Sequence, residues 1–420
     1  MVAKSVLGVI LFVLAPSGSA FSQTGESREK IPFSTWIVGS SRDSITICAA
    51  YALPFNKIIF TRSGDTSSQF AASLSFSVDA LDSVAGINYH QSHRKRVTAH
   101  TFAESQSDTT RVTDCVTLTL PRSVYKMSAE VRDDAQNISY LNTALTRHFP
   151  GPDSSGILDV LLLDSLSDNR YYPVIRDSVA PFPSNIHILI LTESTDSLPL
   201  SISLATMDGR EIMHAPAPAR YAERLKPVSE GNEFYLSGLA DSTRMAYVAE
   251  LQMDSLNEGS YKLNLSRGGS VVSYLFRYQW LDKPLTLRNF TLALSLLKYI
   301  IPDSTFSEIS SGSDTEIRSK FDTFWKSHDP TPLTGFNELE AEYYARADYA
   351  YEQFGSLGTR NGAATDRGKS YILFGKPERV SREFRSDGTY EIWSYTNLKR
   401  SLVFKEQNFG EFKLYRTENP

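Results

Sequence analysis

Residues 73–78 read Ser73-Leu74-Ser75-Phe76-Ser77-Val78. The apolar side chains fall on one side and the serines on the other, the two-residue period of a strand with one buried and one wet face. Neighbouring stretches repeat the style. Ile45, Ile47 and Ala49 alternate with Thr46 and Cys48, and Val116, Leu118 and Leu120 alternate with Thr117 and Thr119. No long helical stripe interrupts residues 31–150, which predicts an antiparallel β-sandwich there. Pro150-Gly151-Pro152, followed by Asp153 and two serines, predicts a linker. Residues 151–283 then read as a second sandwich of the same Ig-like kind. Asp208-Gly209 separates Ile202–Met207 from Glu211–Met213, and Gly268-Gly269 separates Tyr261–Leu265 from Val271–Tyr278. Both dipeptides suit the positive φ angles of a type I′ hairpin. Met245–Leu251 is a further strand between them.

At Pro284 the period changes. Phe290, Leu294, Leu297 and Ile301 share one helical face, and Pro302 stops that helix. Ile317, Phe321, Phe324 and Trp325 make a second stripe that ends at His328-Asp329-Pro330. A third runs through Phe336, Leu339, Tyr343, Ala347, Ala350 and Phe354, closed by Gly355 and Gly358. Tyr344 and Tyr351 fall on another face of that helix, which is expected to meet a small sheet, the alternative being a partner. From Lys369 onward strands are predicted at Tyr371–Phe374, Tyr390–Tyr395, Leu402–Phe404 and Phe412–Tyr415. Residues 284–420 are therefore expected to be α+β, helices first and then a small antiparallel sheet. The whole reads as a multidomain, mainly β protein: two sandwiches followed by an α+β domain.

The first residues carry a different signal. Lys4 precedes an apolar run from Val6 to Leu14, too short for the ~20 residues of a membrane-spanning helix. Pro16 and Gly18 break it, and Ser19-Ala20 supply small residues for a signal peptidase. The expectation is a cleaved Sec-type signal peptide over 1–20, a flexible lead-in over 21–30, and a mature chain without a transmembrane span. No cysteine sits near the cleavage point, which argues against a lipid anchor. The formal net charge of −5 gives no basic surface for a nucleic-acid partner. The only cysteines, Cys48 and Cys115, are a candidate disulfide if their strands are neighbours.

Several short runs in the C-terminal region form an ordered set. They are Phe324-Trp325, Asp329-Pro330-Thr331-Pro332, Asn337-Glu338, Glu342-Tyr343-Tyr344 with Arg346, and Tyr349-Ala350. Thr365-Asp366-Arg367-Gly368, Phe374-Gly375-Lys376-Pro377, Tyr390-Glu391-Ile392-Trp393, and Phe409-Gly410 before Leu414 follow. Over roughly residues 285–416 their order resembles the GWxTD-domain family of exported bacterial proteins. The eponymous motif reads Gly362-Ala363-Ala364-Thr365-Asp366, so Ala363 stands where the family has tryptophan. The resemblance implies an exported, envelope-associated, most simply periplasmic protein, and it brings no reaction with it.

The polar residues of this motif are the candidate site: Gly362, Thr365, Asp366, Arg367 and Gly368, with Glu342 and Arg346 on the third helix. Glu342 and Arg346 are spaced i, i+4 and so lie side by side. A structural role competes, in which the glutamate and arginine form a local ion pair and Asp366 ties a tight turn. Gly362–Ser370 is not a phosphate loop. Five residues separate its glycines where that loop has four, and a strand rather than a helix is expected to follow. His90, His93 and His100 sit among Arg94, Lys95 and Arg96, whose charge opposes a cation, so no metal site is assigned. No nucleophile or cofactor motif is recognised. The expected function is a non-enzymatic module, without cofactor, that contacts another envelope protein. The alternative is a periplasmic enzyme or a carbohydrate- or peptide-binding protein, with its polar site near Asp366 and Arg367.

Overall fold

A computed structural model of the chain describes residues 30–64, 70–135, 138–149, 155–176, 178–193, 198–356, 358–407 and 410–419. The signal peptide, nearly all of the lead-in, the linker at 150–153 and Phe409 lie outside the described residues. The chain divides into two compact units. The first runs to Met253 and takes in Glu258–Gln279; the second comprises Asp254–Asn257 and Trp280 onward.

The first unit is built from antiparallel sheets, as the alternation predicts, apart from one parallel pairing of Val179–Pro181 with Ser270–Gln279. Phe33–Ser40, Ser44–Pro54 and Arg111–Pro121 form a three-stranded sheet with Ser44–Pro54 in the middle. One face of it, with Ile45, Ile47, Ala49 and Tyr51, packs on Leu74, Phe76 and Val78 of a five-stranded sheet. Its other face, with Trp36, Val38, Cys48, Ala50 and Ala52, packs on Leu161, Leu163, Leu189 and Leu236 of a seven-stranded sheet. Trp36 stacks on Phe234 with centroids 6.4 Å apart. The sequence reading left the Cys48 side of this sheet wet. The structure covers both sides, because Cys48-Ala49-Ala50-Tyr51-Ala52-Leu53 is apolar without alternation, as doubly buried strands are.

A further five-stranded sheet buries Ile202, Leu204, Leu263 and Leu265. It contains both anticipated hairpins. Gly268 and Gly269 have φ of +60° and +81°, as a type I′ turn requires. At the other hairpin only Gly209 is left-handed, at +90°, and the register shifts between Leu204 and Ala205. That turn is therefore not type I′; Asp208 keeps a negative φ and the glycine takes up a bulge.

In the second unit helices come first: Leu285–Arg288, Phe290–Leu296, Asp303–Ile309, Asp314–Ser327 and Glu338–Gln353. Ser313 and Glu316 form a reciprocal capping box at one, and the Asn337 side chain accepts from Glu340 N at another. A four-stranded antiparallel sheet closes the chain, in the order Arg379–Arg385, Gly388–Tyr395, Arg400–Glu406, Phe412–Glu418.

Two expectations fail here. Tyr371–Phe374 is not a strand but the end of a helix, Asp366–Phe374. Its apolar run favours a strand by propensity, but Thr365 caps it and Gly375, at φ +74°, closes it. The fourth strand is instead Arg379–Arg385, whose sequence RVSREFR hides it because its apolar side chains are exposed. The phosphate-loop comparison therefore loses one of its two objections, since a helix does follow; the spacing objection remains. Among the described residues no helix is long and apolar enough to cross a membrane.

Candidate functional site

The motif lies where three pieces of backbone meet. Asn361 accepts from Ala363 N and starts a short 3-10 turn, Gly362–Ala364, against the end of the helix Glu338–Gln353. The approach is so close that a Cβ on Gly362 would lie 2.2 Å from Ala350 O and 2.7 Å from Tyr351 O. A Cβ on Gly368 would lie 2.0 Å from Gly362 O. Both glycines are thus required by backbone contact.

Thr365 is the hinge of the arrangement. Its hydroxyl donates to Gly362 O at 2.7 Å and accepts from Gly368 N at 3.0 Å. The helix cap is therefore Thr365, not Asp366. The Asp366 carboxylate does bind a backbone N–H, but that of Leu414 on the last strand, at 2.9 Å. Arg367 also reaches the sheet. Its guanidinium lies 3.3 Å from Glu391 Oε1 and stacks 4.4 Å from the centre of the Phe412 ring.

Glu391 is the residue that sequence reasoning passed over. Its side chain is 5% exposed and accepts from Arg367, from Arg382 Nε at 3.0 Å and from Trp393 Nε1 at 2.9 Å. Three donors around one buried carboxylate satisfy a charge that would otherwise be costly. The available signal was position: Glu391 shares a strand face with Trp393, which is buried. Around this hub Trp393, Leu402, Phe404 and Phe412 pack with Phe354, Tyr371 and Phe374.

Glu342 and Arg346 stand apart from the hub. They form the anticipated i, i+4 pair, Nε to Oε1 2.7 Å, on a partly exposed helix face. Tyr344 does not face the sheet, as expected, but is fully buried among helices, where its hydroxyl donates to Ala293 O at 2.9 Å. Burial holds its pKa, and that of Tyr343, well above the ordinary tyrosine value. Tyr351 is exposed. Ala363 is fully buried in the same helical core. An indole at that position needs room that the surrounding side chains occupy.

A cavity of about 310 Å³ opens beside the ion pair. Ile300, Phe324, Trp325, Leu339, Ile372 and Leu373 make it mostly apolar, and Glu342, Arg346 and His328 bring polar groups to it. On the sheet, Arg379–Arg385 is an edge strand, with Val380 52% and Phe384 84% exposed. In the first unit, His90 pairs with Asp79 and His93 lies 3.3 Å from Asp114.

Residues 284–419 match the family model described as the GWxTD domain. The match covers the helices, the motif turn and the small sheet, and carries no assigned activity. No curated protein matches the chain.

Proposed function

We propose that this is an exported protein of the bacterial envelope that works by binding another protein and catalyses no reaction. The observation carrying this reading is the edge strand Arg379–Arg385, which offers unpaired backbone groups beside the exposed Val380 and Phe384. Exposed edges with apolar side chains pair readily with a strand from another chain. The motif supports the reading from the other side. Thr365, Asp366, Arg367 and Glu391 are engaged with one another and with backbone, so they act as internal fasteners of the helix and sheet. Export rests on the reading of residues 1–20 and on the matched family.

The test is cross-linking in intact cells followed by purification from envelope fractions. The wild-type chain should capture a reproducible partner, and Phe384→Asp with Val380→Asp should lose it while keeping the wild-type melting temperature. Capture that is unchanged in this variant removes the edge strand from the proposal. The exported chain should begin at Phe21 by N-terminal sequencing.

A second reading, a ligand-binding protein, is favoured by the cavity near Glu342 and Arg346. Its volume lies at the lower end of small-molecule sites. It predicts a thermal shift with small apolar compounds that Leu373→Arg abolishes.

A further inference from the structure

Cys48 and Cys115 sit on neighbouring strands of the three-stranded sheet. The register pairs Cys48 with Thr117 and Ala50 with Cys115, so the two cysteines share one face on a diagonal. Diagonal neighbours in an antiparallel pair lie about 7–8 Å apart, less between their Cβ atoms, so a bridge forms here with a small approach of the two strands. Both are free thiols in this structure, Cys48 fully buried and Cys115 half-buried. Burial first, and then the neighbouring Cys115, hold the Cys48 thiol well above the ordinary cysteine pKa. The face they share is the one that packs on the seven-stranded sheet.

We infer that Cys48 and Cys115 are a redox pair that closes into a cross-strand disulfide by exchange with an external disulfide. The partially accessible Cys115 reacts first. Its thiolate attacks one sulfur of the external disulfide, and the other sulfur leaves as a thiolate that takes up a proton. The Cys48 thiol then gives up its proton and attacks the Cys115 sulfur of the mixed disulfide. The second external sulfur leaves and is protonated. Two electrons pass from the cysteine pair to the external disulfide, two thiols are released, and one S–S bond forms within the sheet. The inference rests on strand register and on the shared buried face, independently of the proposed binding role. The bridge spans both long strands between its ends, so it restricts the unfolded chain.

The experiment uses the full chain, purified reduced and then incubated with oxidised glutathione. It is denatured without reductant and treated with a mass-tagged alkylating reagent. Both thiols should disappear together, and a peptide linking Cys48 to Cys115 should appear in the digest. The oxidised protein should melt about 5–10 °C above the same sample in dithiothreitol. Two alkylated thiols, or glutathione retained on Cys115 without a bridge, would overturn the inference. In Cys115→Ala, Cys48 should react at least tenfold more slowly with glutathione than Cys115 does in the wild type. Reaction at the wild-type rate would overturn the order of attack.

Discussion

The two units are fastened in opposite ways. In the first, the three-stranded sheet is held mainly by apolar side chains on both faces, Ile47 and Tyr51 on one and Trp36 and Ala50 on the other, with one buried ion pair between Lys95 and Asp114 at 3.5 Å. In the second, the helix Asp366–Phe374 meets its sheet through aromatic packing of Tyr371 and Phe374 together with a few specific polar bonds, Glu391 receiving Arg367, Arg382 and Trp393. Apolar burial is non-directional and tolerates exchange of one side chain for another of similar volume. A buried charge does not. Its energetics depend on having every partner in place.

The sharpest way to break the comparison is Glu391→Ala. It strands the Arg367 charge, which is 12% exposed, and leaves Trp393 Nε1 without its acceptor. The expected loss is about 3–5 kcal/mol, read by denaturant unfolding. A change below about 1 kcal/mol would show that aromatic packing alone holds the helix to the sheet. Next comes Gly362→Ala, whose Cβ would approach Ala350 O to 2.2 Å. Backbone must move, and a loss of about 1–3 kcal/mol is expected in the same measurement. A neutral result would mean that the turn slides off the helix at no cost. Thr365→Ala removes one cap and one bond to Gly362 O and should lower stability by about 1 kcal/mol.

The smallest effect is a pH dependence. Tyr390 and Lys405 hold the Asp387 carboxyl down at about 2. Its interactions therefore stabilise the fold above the unfolded carboxyl pKa of ~3.9 and are lost as pH falls toward the folded value. The stability difference between wild type and Asp387→Asn should be constant from pH 7 to about pH 5 and shrink towards about pH 2. A difference that grows with acidity would contradict this assignment.

Much of the fold, though neither side of this contrast, is legible in the sequence, and the limits are physical. Serine and apolar alternation at 73–78 identified a strand because one of its faces is wet. The helices Asp314–Ser327 and Glu338–Gln353 were visible because their stripes are three and four apart. The double burial of Ser44–Pro54 was missed, since alternation reports only one covered face at a time. Tyr371–Phe374 reads as a strand because its four bulky apolar residues favour one by propensity; the deciding residues, Thr365 and Gly375, lie outside the run. Of the candidate site, the Glu342–Arg346 pair followed from spacing alone. Glu391 did not, since its partners Arg367 and Arg382 come from a different helix and strand.

The doubly covered sheet also constrains how the chain matures. Trp36, Val38, Ala50 and Ala52 acquire most of their cover from later residues such as Leu161, Leu189 and Leu236. Until those residues are made, the early strands present a ready apolar surface to the surroundings. A chain that folds as it emerges leaves this surface open for seconds, at roughly 5–20 residues per second of synthesis. Holding the chain unfolded until the whole first unit is available is therefore an advantage that this one sheet creates.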